Sequence, residues 1–249
     1  MALVRTNHVG ALAAEGQPGT ASFTTSAFTT SSNSLLVAGY HAMQHNASTS
    51  ILSSMTISSS PALTWTSRVS AEVLSAFSLG TIIYTAPVTT GASTTVTIDC
   101  GSIDLWVGGV AVVGYTGYDT TTPTGGTGTF SLGSGADGAH SLTLSAAPTT
   151  NDEVVGFVSI DKESLGTTPG SAFTEQYDVQ AGASGGYELE TRTASTSTTV
   201  DWVDLHTGTG AIFRACACGL VIKAAAAASG KQPPIIRRPH SGLILRGRR

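Results

Sequence analysis

Apolar residues alternate with Ser and Thr in short runs along this chain, and Gly, Pro, Asn and Asp interrupt them at short intervals. A side-chain period of two places alternate residues on opposite faces of a strand, so the pattern commits the chain to β-structure. Runs of this kind fall at 20–25, 34–42, 53–59, 63–70, 80–86, 94–99, 105–115, 140–145, 153–161, 186–193, 198–204 and 211–223. So many strands exceed what one open sheet holds without splitting or curling. The expected fold is all-β, a two-sheet antiparallel β-sandwich of jelly-roll type with an extended C-terminal arm. Composition agrees: 11% of residues are charged and 41% hydrophobic, the opposite of a disordered chain. Thr supplies much of the polarity, and its branched Cβ suits a half-buried pleat. Helical signals are short. "SAEVLSAFS" (70–78) reads as one helical turn or a loop, and "AAAAAS" (224–229) is too brief to hold a helix alone. Gly, Thr and Asp mark 116–140 and 164–173 as long loops.

The organisation predicted is an N-terminal segment (1–19), a sandwich domain (20–223), a linker (224–230) and a basic arm (231–249). Charge supports the last boundary. Residues 1–230 hold all sixteen acids and six bases, whereas 231–249 hold six bases and no acid. Within the arm, Ile235, Ile236, Leu243 and Leu245 are apolar anchors set among Arg237, Arg238, Arg246, Arg248 and Arg249. Pro233–Pro234 stiffens the approach. Such a segment suits docking as an extended strand on a partner, with backbone hydrogen bonds and alternating side-chain pockets. The acidic body and the lack of a stacking aromatic in the arm argue against nucleic acid.

Catalytic and metal motifs are not indicated, and no cofactor is expected. No G-x-S-x-G elbow occurs. His41 and His45 stand about 13 Å apart if 34–42 is a strand, too far for a metal pair, and Asp99, Asp104 and Asp119 lack EF-hand spacing. Glu188 and Glu190 share a strand face, and "DWVD" offers Asp201 and Asp204, so a carboxylate pair for glycan hydrolysis is the enzymatic alternative to solvated strand faces. Trp65, Trp106 and Trp202 lie in alternating strands and read as core. Tyr84 and Tyr115 read likewise, while Tyr118 opens a loop and reads as exposed. "CAC" (216–218) lacks the partners of a zinc site. The three cysteines read as buried thiols, with a Cys100 disulfide to Cys216 or Cys218 left open. No secretory or membrane-spanning segment is read, since charges interrupt both apolar candidates.

The succession "ASFTTSAFTTSSNSLLVAGYHA", "SPALTWTSRVS", "IIYTAPVTTGASTTVTID", "VGGVAVVGYTGYD" and "NDEVVGFVSIDKE" resembles β-sandwich virion proteins of tailed bacteriophages, particularly those infecting actinobacteria. The motifs are a Ser-Leu-Leu-Val strand, a Leu-Thr-Trp-Thr strand, and a Tyr-Thr-Ala-Pro turn before a Thr-Val-Thr strand; together they span roughly 20–223. The resemblance implies a jelly-roll, concanavalin-like sandwich and a structural role in a virion assembled in the host cytoplasm. That role is a minor tail or tail-tip protein, or a capsid decoration. The implied partners are other virion proteins and further copies of the chain. A host-surface glycan is the partner if the protein is an adhesin. The resemblance brings no catalytic residues, and the arm lies outside it.

Overall fold

The computed structural model describes residues 2–13, 22–44, 49–74, 78–101, 103, 105–135, 138–161, 167–180, 185–205 and 213–226. Seventeen strands follow one another: β1 (Val4–Ala13), β2 (Ser22–Thr24), β3 (Phe28–Thr29), β4 (Ser34–Gln44), β5 (Thr56–Ser60), β6 (Thr66–Leu74), β7 (Ser78–Val88), β8 (Ser93–Asp99), β9 (Leu105–Thr116), β10 (Thr124–Gly135), β11 (His140–Thr143), β12 (Glu153–Ile160), β13 (Thr168–Pro169), β14 (Thr174–Gln180), β15 (Gly186–Thr193), β16 (Thr199–Asp204) and β17 (Phe213–Ile222). All named pairings are antiparallel.

The antiparallel all-β expectation holds, but the strands form four sheets rather than two. One sheet runs β1-β9-β4-β7-β6 and another β10-β17-β12-β15-β14. A small sheet around β8 carries β2, β3 and β5, and a three-stranded sheet runs β11-β16-β13. Three apolar layers separate the four sheets. Phe23, Leu36, Tyr40, Ile82, Tyr84 and Val96 fill the gap between the β8 sheet and the first large sheet. Leu35, Val37, Ile83, Phe157, Leu189 and Leu220 fill the gap between the two large sheets. Val154, Val158, Phe173, Val200, Trp202 and Ala217 fill the gap between the second large sheet and the β16 sheet. Both central strands, β4 and β12, are buried along their whole length. That is why they read as continuous apolar runs instead of alternating ones.

The four layers are two copies of one plan. Replacing β1-β9-β4-β7-β6 by β10-β17-β12-β15-β14 preserves strand order, with β8 and its neighbours replaced by β16 and its neighbours. Register is preserved too. Gly39 pairs with Ala111 and Ile83, and Phe157 pairs with Cys218 and Leu189 at the matching place. Irregularities also match. β6 is bulged between Ser67 and Val69, and β14 between Glu175 and Tyr177, each beside the same residue of its partner strand. β1 is bulged between Arg5 and His8, and β10 between Thr124 and Thr127. A bulge re-aims every residue beyond it, so two bulges at matching registers identify a structural repeat.

The two sandwiches pack through their large sheets about an approximate twofold axis. β6 lies on β10 and β17, β7 on β17 and β12, β4 on β12, and β1 on β14. Three aromatic rings of the second sandwich sit on three glycines of the first. A Cβ on Gly39 would lie 2.3 Å from the Phe157 ring, one on Gly109 2.3 Å from Tyr187, and one on Gly10 1.8 Å from Tyr177. Phe157, Tyr177 and Tyr187 stack on one another with centroids 5.5 and 5.8 Å apart. Polar ties cross the same gap. Glu153 accepts from Tyr115 (2.9 Å) and from Arg5 (3.2 Å), and Arg5 also donates to Thr191.

Local expectations fared unevenly. β1 lies inside the predicted N-terminal segment. Of 70–78, read as one helical turn or a loop, residues 70–74 continue strand β6, because pairing with β7 outweighs a brief helical spacing, and 75–77 lie outside the described residues. Residues 124–135 of the predicted loop 116–140 are β10, whose glycines let it lie close to 142–146: a Cβ on Gly126 or Gly128 would come within 2.4–2.5 Å of a backbone oxygen. Tyr118 is buried, not exposed. The linker beyond Ala226 and the whole of 231–249, including Ile235, Ile236, Arg237, Arg238, Leu243, Leu245, Arg246, Arg248 and Arg249, lie outside the described residues.

Candidate functional site

Strand β15 carries the most unusual chemistry among the described residues. Glu188, Glu190 and Arg192 alternate along it on the face directed at the β16 sheet, and all three are buried. The matching positions on β7 are Ile82, Tyr84 and Ala86, packed as ordinary core. The sequence places the two glutamates on one face, and they do share one. That face is sandwich interior, not the solvated surface or open cleft weighed for it.

Burial sets the behaviour of these groups. Desolvation pushes the Glu188 carboxyl up to about 8, aided by Glu175 and Asp178, while the Thr167 hydroxyl acts in the other direction. Desolvation pushes Glu190 up to about 9, with Glu188 and Asp201 adding to it and the Gly170 N–H and Arg192 opposing. Both are therefore protonated near neutrality. Glu190 Oε2 accepts from Gly170 N–H at 3.2 Å. Neither Glu188 oxygen makes a hydrogen bond of normal geometry among the described residues, nor does Glu190 Oε1. Gly156 makes room for Glu190, since a Cβ there would lie 2.7 Å from Oε1. Arg192 stacks on Phe173, 4.4 Å from the ring centroid, and donates to the Ser197 carbonyl at 2.9 Å.

Asp178 and Glu175 extend this acidic row to the sheet edge. They pair in register with Glu188 and Glu190, and the bulge between them keeps both on one face despite their spacing of three. Asp178 is half-buried and pushed up to about 6, first by desolvation and then by Glu175. Asp201 accepts from Ser171 N–H at 3.3 Å on the opposing sheet. The side chain of Asp204 lies outside the described set.

A glycosidase needs two carboxyls reachable by a sugar. Glu188 and Glu190 have no exposed surface. An open depression of about 340 Å³ lies beside His140, Ser141, Asp201 and Val203 on the β16 sheet, and neither glutamate lines it. Among the described residues no three His, Cys, Asp or Glu side chains converge as a metal site. His41 sits on a strand, fully buried, with Nδ1 bonded to Ser159 and burial holding its pKa down to about 3; His45 lies outside the described residues. Asp119 accepts from Thr121 and Thr122 in a tight turn, and Asp99 from Gly101. The cysteines are free and buried. Cys100 lies in the first apolar layer and Cys216 and Cys218 in the middle one, so the disulfide alternative has no geometry. Of the tryptophans, Trp202 is wholly buried and Trp65 and Trp106 partly so.

Among the described residues no helix is long and apolar enough to cross a membrane. No family model, curated protein or solved structure matches the chain.

Proposed function

We propose that this chain is a non-enzymatic structural protein of a tailed-bacteriophage virion, a minor tail or tail-tip component held to neighbouring virion proteins by its C-terminal arm. The observation that supports it best is the sealed four-layer stack. Its titratable pair, Glu188 and Glu190, is closed off from solvent, and the first sandwich repeats the plan with apolar residues in their place. Chemistry needs an approachable group; a scaffold needs filled layers and surfaces for contact. The sequence resemblance to phage sandwich proteins points the same way. Labelling the chain in intact particles tests the assignment: signal at the tail tip supports it, signal over the capsid shell moves it to the decoration role, and absence from purified particles removes it. The adhesin reading rests on the depression beside His140, and binding of a host-wall glycan lost on His140→Ala would favour it.

A further inference from the structure

We infer that residues 242–249 of one copy add as a strand to the β14 edge of a second copy, with arginines over the acidic row. This rests on the arm-docking reading above and names its partner. Four observations carry it. First, charge is divided unevenly between the repeats: residues 117–230 hold twelve acids and four bases, residues 1–116 four acids and two bases. The arm, with six bases and no acid, complements the second sandwich and not the first.

Second, β14 is an edge, paired on one side with β15 and with no strand on the other among the described residues. It carries no Lys and no Pro; its guards are the bulge between Glu175 and Tyr177 and its two acids, which repel another acidic edge and attract a basic strand. Third, the positions matching Glu175 and Asp178 on the first sandwich's edge strand are Ser67 and Ser70. The acidic edge is thus specific to the second sandwich. Behind Asp178 stands Glu188, fully buried and with both oxygens lacking a normal hydrogen bond.

Fourth, the arm has the right period. In an extended "GLILRGRR", Leu243 and Leu245 fall on one face and Arg246 and Arg248 on the other. β14 presents the same division: Glu175 and Asp178 on one face, half-buried Tyr177 and Val179 flanking the middle apolar layer on the other. An added strand would continue both rows.

The test is sedimentation velocity of the full chain across concentration, with paired charge reversals. The wild type is expected to self-associate. Glu175→Arg with Asp178→Arg, or Arg246→Glu with Arg248→Glu, should each weaken association at least about tenfold. Mixing these two variants should restore it, because each arm then meets an edge of opposite sign. The arm variant leaves the β14 edge and sheet contacts untouched, so it remains decisive if the edge variant misfolds. A wild type that stays monomeric, variants that associate like wild type, or mixing without rescue overturns the inference. Incorporation of an arm-truncated chain into particles is read separately, so the virion role can survive loss of this partner.

Discussion

Between Leu36 and Ala86 of the first sandwich and Val154 and Arg192 of the second, strand pairing is the same and side-chain chemistry is not. The first closes on Ile82 and Tyr84, the second on two protonated carboxyls and a stacked guanidinium. The plan is therefore held by backbone register, bulges and apolar alternation, all common to both. What fills an outer gap can change as long as its volume is kept. A neutral carboxyl can replace an aliphatic group there at a cost of a few kcal/mol at most if it finds donors, while an ionised one cannot without far greater loss.

The largest effect should come from the surface where the two sandwiches meet. Gly39→Val places a Cβ inside the Phe157 ring space, and a loss of about 3 kcal/mol or more is expected by thermal or urea unfolding. Phe157→Ala opens a cavity instead and should cost about 3–5 kcal/mol. If Gly39→Val is neutral, the halves are not locked by this contact.

Next comes pH. Carboxyls raised in the folded state hold protons that the unfolded chain releases, so the contribution of this pair to stability is greatest below about 4.5 and is lost as pH rises through about 8 and 9. Glu188→Gln with Glu190→Gln should flatten this decline, and Glu188→Ile with Glu190→Tyr, the residues of the first sandwich, should do so as well. A wild-type profile that rises between pH 5 and 9 would contradict the protonated pair.

A smaller effect is expected at Glu153, whose counterpart in the first sandwich is Leu35. Arg5→Met leaves this buried carboxyl with the Tyr115 and Thr191 hydroxyls and should cost about 1–3 kcal/mol. Adding Glu153→Leu should recover most of it. Smallest of all, a reducing agent should leave the melting temperature unchanged, and the three thiols should label only after unfolding.

Much of the fold was legible because alternation reports directly on a pleated, half-buried strand. β8 (Ser93–Asp99) and β16 (Thr199–Asp204) show it most cleanly. The repeat was also present, in "FTTSAFTTSSNSLLVAGY" against "LTLSAAPTTNDEVVGFV" and "PALTWTS" against "PGSAFTE". Comparing the chain with itself would have exposed it. It hid because matching positions share register, not residue type: Leu35 answers to Glu153 and Gly39 to Phe157. The Gly-rich β10 escaped because glycine signals turns locally, and only the close approach of 142–146 explains it there. For Glu188 and Glu190 the shared face was readable; its inward direction depends on the β16 sheet covering it, which no local pattern reports.

Gly39 and Phe157 occupy matching positions and touch each other. In an assembly of two identical chains a residue beside the symmetry axis meets its own copy, and every substitution there arrives twice. Two glycines would leave a hole and two phenylalanines would collide. Covalent linkage of the halves removes that restriction, so each side of the joint can mutate alone. A ring can then grow on one side while its seat shrinks on the other. The joint in this chain is directional, with glycine on one side and a ring on the other.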